Sequence, residues 1–346
     1  MMLPGRPRPR VGRSGGTGVS RVTTADVARE SGVSRTTVSY VLNDTAGAAI
    51  SAATRQRVRA AAERLGYVPS AAARALRRGR SDLVLCALPD WPVGPVIDSL
   101  LDHLTGELAT RGLSVLVHHR REQRPLSDLW RAVTPRAVVG FTAFSAEDER
   151  AMQRAGIQAI GTVLDDDPRH PGAFAVSQTE VGRMQVRHLA AAGHRSLGYA
   201  QTTDPRVVDF AVPRLAGVRE ECRRLGLPAP RVRAVEVSVE SGAAAAPAWR
   251  ASPHPVTAVA AYNDEVALAV LAGLRALRLR VPQDVAVIGV DDVPAARLSA
   301  PALTTVSQSV HLQARYLCDA VVAALDGGSE PARPADVLRL VVRESA

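Results

Sequence analysis

The chain has 346 residues, of which 46% are hydrophobic and 3% aromatic, and its formal net charge is +9. This length allows two or three domains with buried cores, and no apolar run is long enough to span a membrane, so we expect a soluble protein without membrane contacts. All 43 residues counted as lysine or arginine are arginines, which excludes a phosphate-loop lysine and Schiff-base chemistry.

Residues 1–20 form a basic segment that we predict to be a disordered arm. The arm lacks the apolar core of a secretion signal, and the three cysteines (Cys86, Cys222 and Cys318) lie far apart. Reduced thiols in a cytoplasmic protein fit this pattern, and no metal or other cofactor is expected. Residues 1–80 hold 15 arginines and four acids, so the rest of the chain carries about −2. The basic charge therefore lies at one end, as contact with nucleic acid phosphates requires.

Residues 24–43 predict two short helices joined by a tight turn. Thr24 is expected to cap the first helix, Gly32 to end it in the left-handed conformation, and Ser34 to cap the second. The second helix has an apolar stripe at helical spacing and an outward face without acids, formed by Arg35, Thr36, Thr37, Ser39 and Tyr40. This layout is typical of a helix-turn-helix that enters the DNA major groove, although an ordinary helical hairpin is the alternative.

A third helix and a short arginine-rich run follow. Ser51 is expected to cap a helix that ends at Gly66, which completes a headpiece over residues 21–67. Pro69 cannot continue that helix, and residues 68–81 contain a run too short to be a stable helix alone in water. This run, with Arg74 and Leu76, is either a linker or a hinge that folds only against DNA.

From residue 82 onward, apolar strands alternate with helices. The predicted strands are residues 83–88, 113–119, 136–142, 158–163, 196–201, 256–262 and 284–290. Strand–helix alternation with apolar strands predicts parallel sheets covered on both faces, an α/β class, in two blocks of about 82–175 and 176–304.

Ligands of such sheets bind beyond the carboxyl ends of the strands, so polar residues there are candidates for a binding site. Carboxylates, amides and one arginine suit a hydroxyl-rich ligand such as a sugar. The candidates are Asp90, Trp91, Arg214, Asn263, Asp291 and Gln308. Structural alternatives stay open: Asn263 as a helix cap, Asp292 as a turn residue and Trp91 as a surface-loop residue. The histidines show neither metal spacing nor a catalytic triad pattern, and we expect no enzyme.

Several motifs together resemble the lactose-repressor (LacI/GalR) family of transcription regulators. They are the helix-turn-helix of residues 22–43, YVPSAAARALRRG at 67–79, GHRSLGY at 193–199, RLAG at 214–217, YNDEVALAVL at 262–271, VPQDVAVIGVDD at 281–292, PALTTVSQ at 301–308 and RLVVRES at 339–345. The resemblance implies a small all-α headpiece followed by an effector domain of two parallel-sheet subdomains, similar to periplasmic sugar-binding proteins. Subdomain 1 would comprise about 82–175 and 307–326, and subdomain 2 about 176–306 and 327–346.

The resemblance also implies a function. The chain would be a repressor that binds a palindromic DNA operator as a homodimer, under the control of a small molecule between the subdomains. The DNA contacts would come from Arg35, Thr36, Thr37, Ser39, Tyr40 and Asn43 of the headpiece, and from Arg74 and Leu76 of the hinge. Ser177 and Val181 depart from the family pattern, so the effector stays open. A periplasmic-type solute-binding protein and an enzyme on a similar scaffold are the alternatives.

The hinge gives the first prediction. Paired hinge helices in a dimer are expected to wedge Leu76 between bases in the minor groove and kink the DNA. Leu76→Ala should therefore weaken operator binding strongly, reduce the DNA bend seen in gel mobility of permuted fragments, and leave ligand binding intact. Unchanged affinity and an unchanged bend would show that Leu76 is only a linker residue.

Overall fold

A computed structural model describes residues 22–43, 48–67, 81–120, 125–163, 174–251 and 254–346. The chain divides into two compact units, Met1–Gly79 and Arg80–Ala346. The predicted arm and residues 68–80 of the predicted hinge, including Arg74 and Leu76, lie outside the described residues.

The first unit contains three helices around a small apolar core. The helices are α1 (Thr24–Ser31), α2 (Arg35–Leu42) and α3 (Ala52–Arg64). Each contributes buried residues to one cluster, of which Val27, Val38 and Val58 are fully buried. Gly32 has a φ of +68° at the end of α1, so the left-handed turn predicted from the sequence is confirmed.

The helix caps agree with the sequence at two of three positions. Ser34 and Ser51 accept hydrogen bonds from the backbone N–H groups three residues later, at 3.1 Å and 3.3 Å. The prediction of Thr24 as the first cap is wrong. Thr23 is the cap, and its backbone N–H and hydroxyl both donate to Asp26, at 2.9 Å and 2.7 Å. Thr24 is the first helical residue, and its hydroxyl lies 2.8 Å from that of Tyr67.

The second unit contains two sheets with helices between the strands. Its strands are β1 (Leu83–Leu88), β2 (Ser114–His119), β3 (Ala137–Gly140), β4 (Gln158–Val163), β5 (Phe174–Ala175), β6 (Leu197–Gln201), β7 (Arg231–Ala234), β8 (Ala258–Ala261), β9 (Ala286–Val290), β10 (Thr304–Ser307) and β11 (Arg339–Val341). Its helices are α4 (Pro95–Thr110), α5 (Leu126–Val133), α6 (Ala146–Arg154), α7 (Gln178–Ala191), α8 (Val208–Arg224), α9 (Val239–Arg250), α10 (Asp264–Ala276), α11 (Pro294–Leu298) and α12 (Val310–Asp326).

The strand orders define two subdomains. The sheet of subdomain 1 has the order β2-β1-β3-β4-β5 and is parallel throughout. The sheet of subdomain 2 has the order β11-β10-β9-β8-β6-β7, and only the edge strand β11 is antiparallel to its neighbour. The predicted α/β class is confirmed, and the seven predicted strands lie within two residues of observed ones.

Of the four remaining strands, β11 lies within the last strand that the sequence predicts near residues 337–343. The other three were missed because their residues do not form apolar runs. Strand β7 has arginines at two of its four positions, β10 is mostly Thr and Ser, and β5 has only two residues.

The chain crosses twice between the subdomains after β10. Helix α12 packs against α4 and contacts β3 and β4, so it belongs with subdomain 1. Strand β11 then pairs with β10 in subdomain 2. Residues that follow strands of both sheets line one cleft between the subdomains. The residue limits predicted for the two subdomains stay a prediction. Among the described residues, none of the helices has the length and apolar character needed to cross a membrane.

Helices α7 and α8 approach each other through glycines. A Cβ atom on Gly217 would lie 1.9 Å from the Thr179 carbonyl oxygen, and one on Gly182 would lie 2.0 Å from that of Arg214. Neither glycine has room for a side chain, because the obstacle in each case is backbone. This approach brings the first turn of α7 beside Arg214.

The glycine contact gives a prediction about stability. Gly217→Ala should lower the free energy of unfolding by about 1–3 kcal/mol, because the added methyl group overpacks two backbones. The control is Gly106→Ala on the exposed face of α4, where nothing lies within 4 Å of the added Cβ. That change should raise stability by about 0.5–1 kcal/mol through helix propensity. Urea denaturation measures both, and equal effects of the two variants would contradict the packing account.

Candidate functional site

Three predicted DNA-contacting residues project from α2 into solvent. Arg35 and Thr36 are exposed in the first turn, and Tyr40 follows on the next turn with 43% of its surface exposed. Thr36 and Tyr40 are four positions apart and share one face of the helix, and Arg35 precedes Thr36 in the same exposed turn. A guanidinium, a methyl-bearing hydroxyl and a phenol therefore form one outward surface without an acid.

The other predicted headpiece contacts make hydrogen bonds within α2. The Thr37 hydroxyl lies 2.9 Å from that of the capping Ser34. Asn43 donates from Nδ2 to the carbonyl oxygen of Ser39 at 2.6 Å and to its hydroxyl at 3.3 Å. These side chains stabilise the two ends of the helix that presents Arg35 to solvent.

A second candidate site is the cleft between the subdomains, with a volume of about 280 Å³. Five of the six predicted effector-binding residues line it: Trp91, Arg214, Asn263, Asp291 and Gln308. Asp90 does not line the cleft. Its side chain is exposed, and its charge helps to raise the pKa of Arg206, after the larger effect of Asp204. Trp91, one residue later, takes the inward position beyond β1.

Arg214 is buried at the centre of this site, with 3% of its surface exposed. Its guanidinium donates to the Gln178 side-chain oxygen at 2.8 Å and to the Tyr262 carbonyl oxygen at 2.7 Å. Its remaining nitrogen lies 3.6 Å from Asp291 Oδ1. The Tyr262 ring lies below it, with its centroid 4.8 Å away. A buried charge needs such partners, because desolvation without them is costly.

Asp291 faces Arg214 from the loop after β9. Its φ of +111° is rare for a residue with a side chain, and its N–H donates to the Val306 carbonyl oxygen at 2.8 Å. Gln308 donates to its carboxylate at 2.7 Å. Burial raises the pKa of Asp291, and the charge of Arg214 and the hydrogen bond from Gln308 partly offset this rise.

Gln178 is a site residue that the sequence analysis missed. Its side chain accepts from Arg214 and donates to the Gln308 side-chain oxygen at 3.0 Å. It therefore joins the guanidinium of subdomain 2 to the crossover that leads into α12. Its place as the first residue of α7, directly after Ser177, is the sequence signal that could have identified it. Ser177 itself caps α7 by accepting from the Glu180 N–H at 3.1 Å.

The structural alternatives for three other residues have clear outcomes. Asn263 caps α10, since its side-chain oxygen accepts from Val266 N–H at 3.0 Å, and it also lines the cleft. Asp292 is a turn residue with a φ of +56°, and it pairs with Arg343. The interpretation of Trp91 as a surface-loop residue is wrong. Only 5% of it is exposed, and its ring lies 4.6 Å from that of Phe210.

Asp264, which the sequence places with Asn263 directly after the predicted strand 256–262, supports the loop that carries Asp291. Its buried carboxylate accepts from Val293 N–H at 2.9 Å and from the Thr305 hydroxyl at 2.6 Å. The Thr305 hydroxyl in turn lies 3.4 Å from Asp292 N. A Cβ atom at Gly289 would lie 2.1 Å from the carboxylate, so only glycine leaves room for it. Asp264 therefore connects α10, β10 and the loop after β9.

Burial raises the pKa of Asp264 to about 7, and the charge of Asp291 adds to the rise. Hydrogen bonds from Thr305 and Val293 act in the opposite direction but do not cancel it. The carboxyl group therefore titrates near neutral pH, directly behind the cleft.

Comparisons with known proteins agree on one family. A family model described as bacterial regulatory proteins, lacI family, matches residues 23–70, and one described as a periplasmic binding protein-like domain matches residues 186–346. The HTH-type transcriptional regulator CelR of Thermobifida fusca is 30% identical over 338 residues, covering 94% of this chain and 98% of CelR. The ribose operon repressor of Escherichia coli K12 is 30% identical over 296 residues, covering 83% of this chain and 88% of that protein.

Solved structures match 94% of the chain. The lac repressor dimer bound to operator and the anti-inducer ONPF is 25% identical, with a TM-score of 0.78, covering 94% of this chain and 99% of that one. A CelR–cellobiose complex is 27% identical, with a TM-score of 0.60, covering 94% of this chain and all of that one.

The titration of Asp264 gives a prediction about pH. Its pKa is raised in the folded state, so the folded protein holds this proton up to about pH 7, whereas the unfolded chain releases it near the ordinary value of 3.8. The contribution of Asp264 to the free energy of unfolding is therefore fully present below pH 3.8 and is lost as the pH rises to about 7. Asp264→Asn keeps a neutral group there, so wild type should lose stability relative to it over this range, by at most about 4 kcal/mol.

The control is Asp284→Asn. Hydrogen bonds from Arg280 hold the pKa of this half-buried carboxyl down at about 2, so it stays ionised in both states above pH 5. Its stability difference from wild type should be constant between pH 5 and 7, as urea titrations at each pH measure. A constant difference for Asp264→Asn over the same range would contradict the assignment.

Proposed function

Because the chain belongs to the lacI family of bacterial regulatory proteins, we propose that its α2 surface reads a palindromic DNA operator and that a small molecule in the cleft controls this binding. The chain is a DNA-binding transcriptional regulator, as its relatives are. We propose that it acts as a repressor in the cytoplasm and is not an enzyme.

The observation that carries the DNA-reading proposal is the exposed α2 surface of Arg35, Thr36 and Tyr40. An arginine can donate two hydrogen bonds to a guanine edge, and a threonine methyl group can contact a thymine methyl group. Electrostatics favours the same partner, because the 15 arginines and four acids of residues 1–80 give this end of the chain its positive charge.

The effector proposal rests on the polar groups of the cleft. A structure of CelR holds cellobiose, and another relative is a ribose operon repressor. In this chain Asp291, Asn263 and Arg214 present a carboxylate, an amide and a guanidinium to one cavity, which suits hydroxyl groups of a sugar or a related metabolite. A ligand that favours one spacing of the subdomains shifts the population toward it, and we propose that the hinge transmits this shift.

We also propose that the chain acts as a homodimer. Strand β2 is an edge strand that exposes Leu116 and Val117, and α11 exposes 81% of Leu298. Apolar side chains at an unpaired sheet edge favour association, and a second copy supplies the same surface in a two-fold arrangement. Two headpieces then read the two half-sites of a palindrome. The alternative, a periplasmic-type solute-binding protein without DNA regulation, does not account for the headpiece.

Arg35→Ala tests the proposal. On DNA selected by the wild-type protein from a random library, the variant should lose about 1–3 kcal/mol of binding free energy and accept any base at one position of each half-site. Fluorescence anisotropy at fixed salt measures the affinity, and a second selection with the variant measures the specificity.

The control is Arg57→Ala, which removes an exposed arginine from α3 rather than α2. This variant should keep the base preference of wild type. If Arg35→Ala weakens binding to all sequences equally, Arg35 contacts only phosphate and the proposed reading surface is wrong.

A further inference from the structure

The polar groups that line the cleft are concentrated on one side. All the charged residues that line it belong to subdomain 2, and Thr202 and Asn263 come from the same side. The facing wall is formed by residues 92–97 of subdomain 1, with the sequence PVGPVI. No side chain in this segment can donate or accept a hydrogen bond. A ligand that fills the cleft therefore meets hydrogen-bonding groups on one side and an apolar surface on the other.

Trp91 continues the apolar wall inward. Its ring lies 4.6 Å from that of Phe210 and 6.5 Å from that of Phe141, so three aromatic rings meet at this end of the cleft. The indole N–H is buried and has no acceptor among the described residues. A buried donor without a partner is costly, and a ligand atom that accepts from it would remove this cost.

A small apolar extension opens beside Trp91. It has a volume of about 60 Å³ and shares Trp91, Val96, Ile97, Phe210 and Gln308 with the cleft. The rest of its lining is apolar at Leu100, Phe141, Val176, Val310 and Leu317 and polar at Thr162, Gln178 and Gln313. Because most of its lining is apolar, the extension favours an apolar group.

Much of the polar side is already occupied by internal hydrogen bonds. Arg214 donates to Gln178 and Tyr262, and Asp291 accepts from Gln308. A free sugar carries hydroxyl groups around its whole ring, and those that faced residues 92–97 would lose hydration without replacement. The cleft therefore matches a molecule that is hydroxylated on one part only.

We propose that the effector is a hydroxylated ring joined to a flat apolar group. The hydroxylated ring lies toward Asp291 and Asn263, the flat group packs against Val93 and Trp91, and an acceptor atom near the junction receives the Trp91 N–H. This inference rests on the proposed effector site and narrows its ligand class. Aryl glycosides and nucleosides both have this chemistry.

The test compares matched ligands on the full-length protein by calorimetry. Glucose, galactose and ribose are each used as the free sugar, the methyl β-glycoside and the phenyl β-glycoside, with adenosine and uridine as the nucleoside arm. At least one phenyl glycoside or nucleoside should bind tenfold or more tightly than the methyl glycoside of the same sugar. Tighter binding of the nucleosides would identify a planar base as the flat group.

Two variants, Val93→Asn and Trp91→Phe, test where the flat group binds, and Val342→Asn is the control. Val93→Asn puts an amide on the wall at a residue that is 55% exposed, so folding is not at risk. It should reduce at least threefold the ratio between the affinity for the phenyl glycoside or nucleoside and the affinity for the methyl glycoside. Val342→Asn, at a residue 60% exposed and outside the cleft lining, should leave the ratio unchanged. Trp91→Phe keeps an aromatic ring but lacks the N–H, and should weaken binding of the flat-group ligands.

The other outcomes separate this inference from the proposed function. The inference is overturned if a free sugar or methyl glycoside binds as tightly as every phenyl glycoside and nucleoside. It is also overturned if no phenyl glycoside or nucleoside binds. If such a free sugar also changes operator affinity, the proposed function stands without the inference. Tight flat-group binding with unchanged operator affinity supports the inference and overturns the proposed control of DNA binding.

Discussion

The buried guanidinium of Arg214 is the constraint on which the cleft depends. Its charge needs partners, and it finds them on three other chain segments: Gln178 at the start of α7, Tyr262 after β8 and Asp291 after β9. Gln308 closes the network by contacting both Gln178 and Asp291. Because Gln308 begins the crossover into α12 of subdomain 1, a ligand that alters this network acts on both subdomains.

A second layer keeps this network in place. The loop after β9 has positive φ angles at Asp291 and Asp292, a conformation that side chains disfavour. Asp264 and Thr305 hold that loop through hydrogen bonds, at the cost of a carboxylate whose pKa is raised to about 7. The glycine contacts between α7 and α8 also keep the network in place, because they fix the helices that carry Gln178 and Arg214.

The sequence predicted those features that depend on local pattern. Apolar runs revealed the central strands, and Ser34, Gly32 and Ser51 revealed the ends of the headpiece helices, because capping is decided within a few residues. Gln178 was missed, and the supporting role of Asp264 was not predicted, because both roles depend on contacts with distant segments. Asp264 can be buried only because Gly289 has no side chain to occupy the same space. Trp91 is buried by Phe210 from the other subdomain. No local pattern contains such long-range contacts.

The central claim is that this chain is a regulator that reads a two-fold symmetric DNA site. The most direct measurement is a DNase I footprint on the DNA upstream of its own gene, at physiological salt and rising protein concentration. We expect one protected palindrome with two half-sites that fill together, while neighbouring DNA stays accessible. Protection that spreads evenly over the fragment, or no protection at concentrations that saturate selected DNA, would contradict this claim.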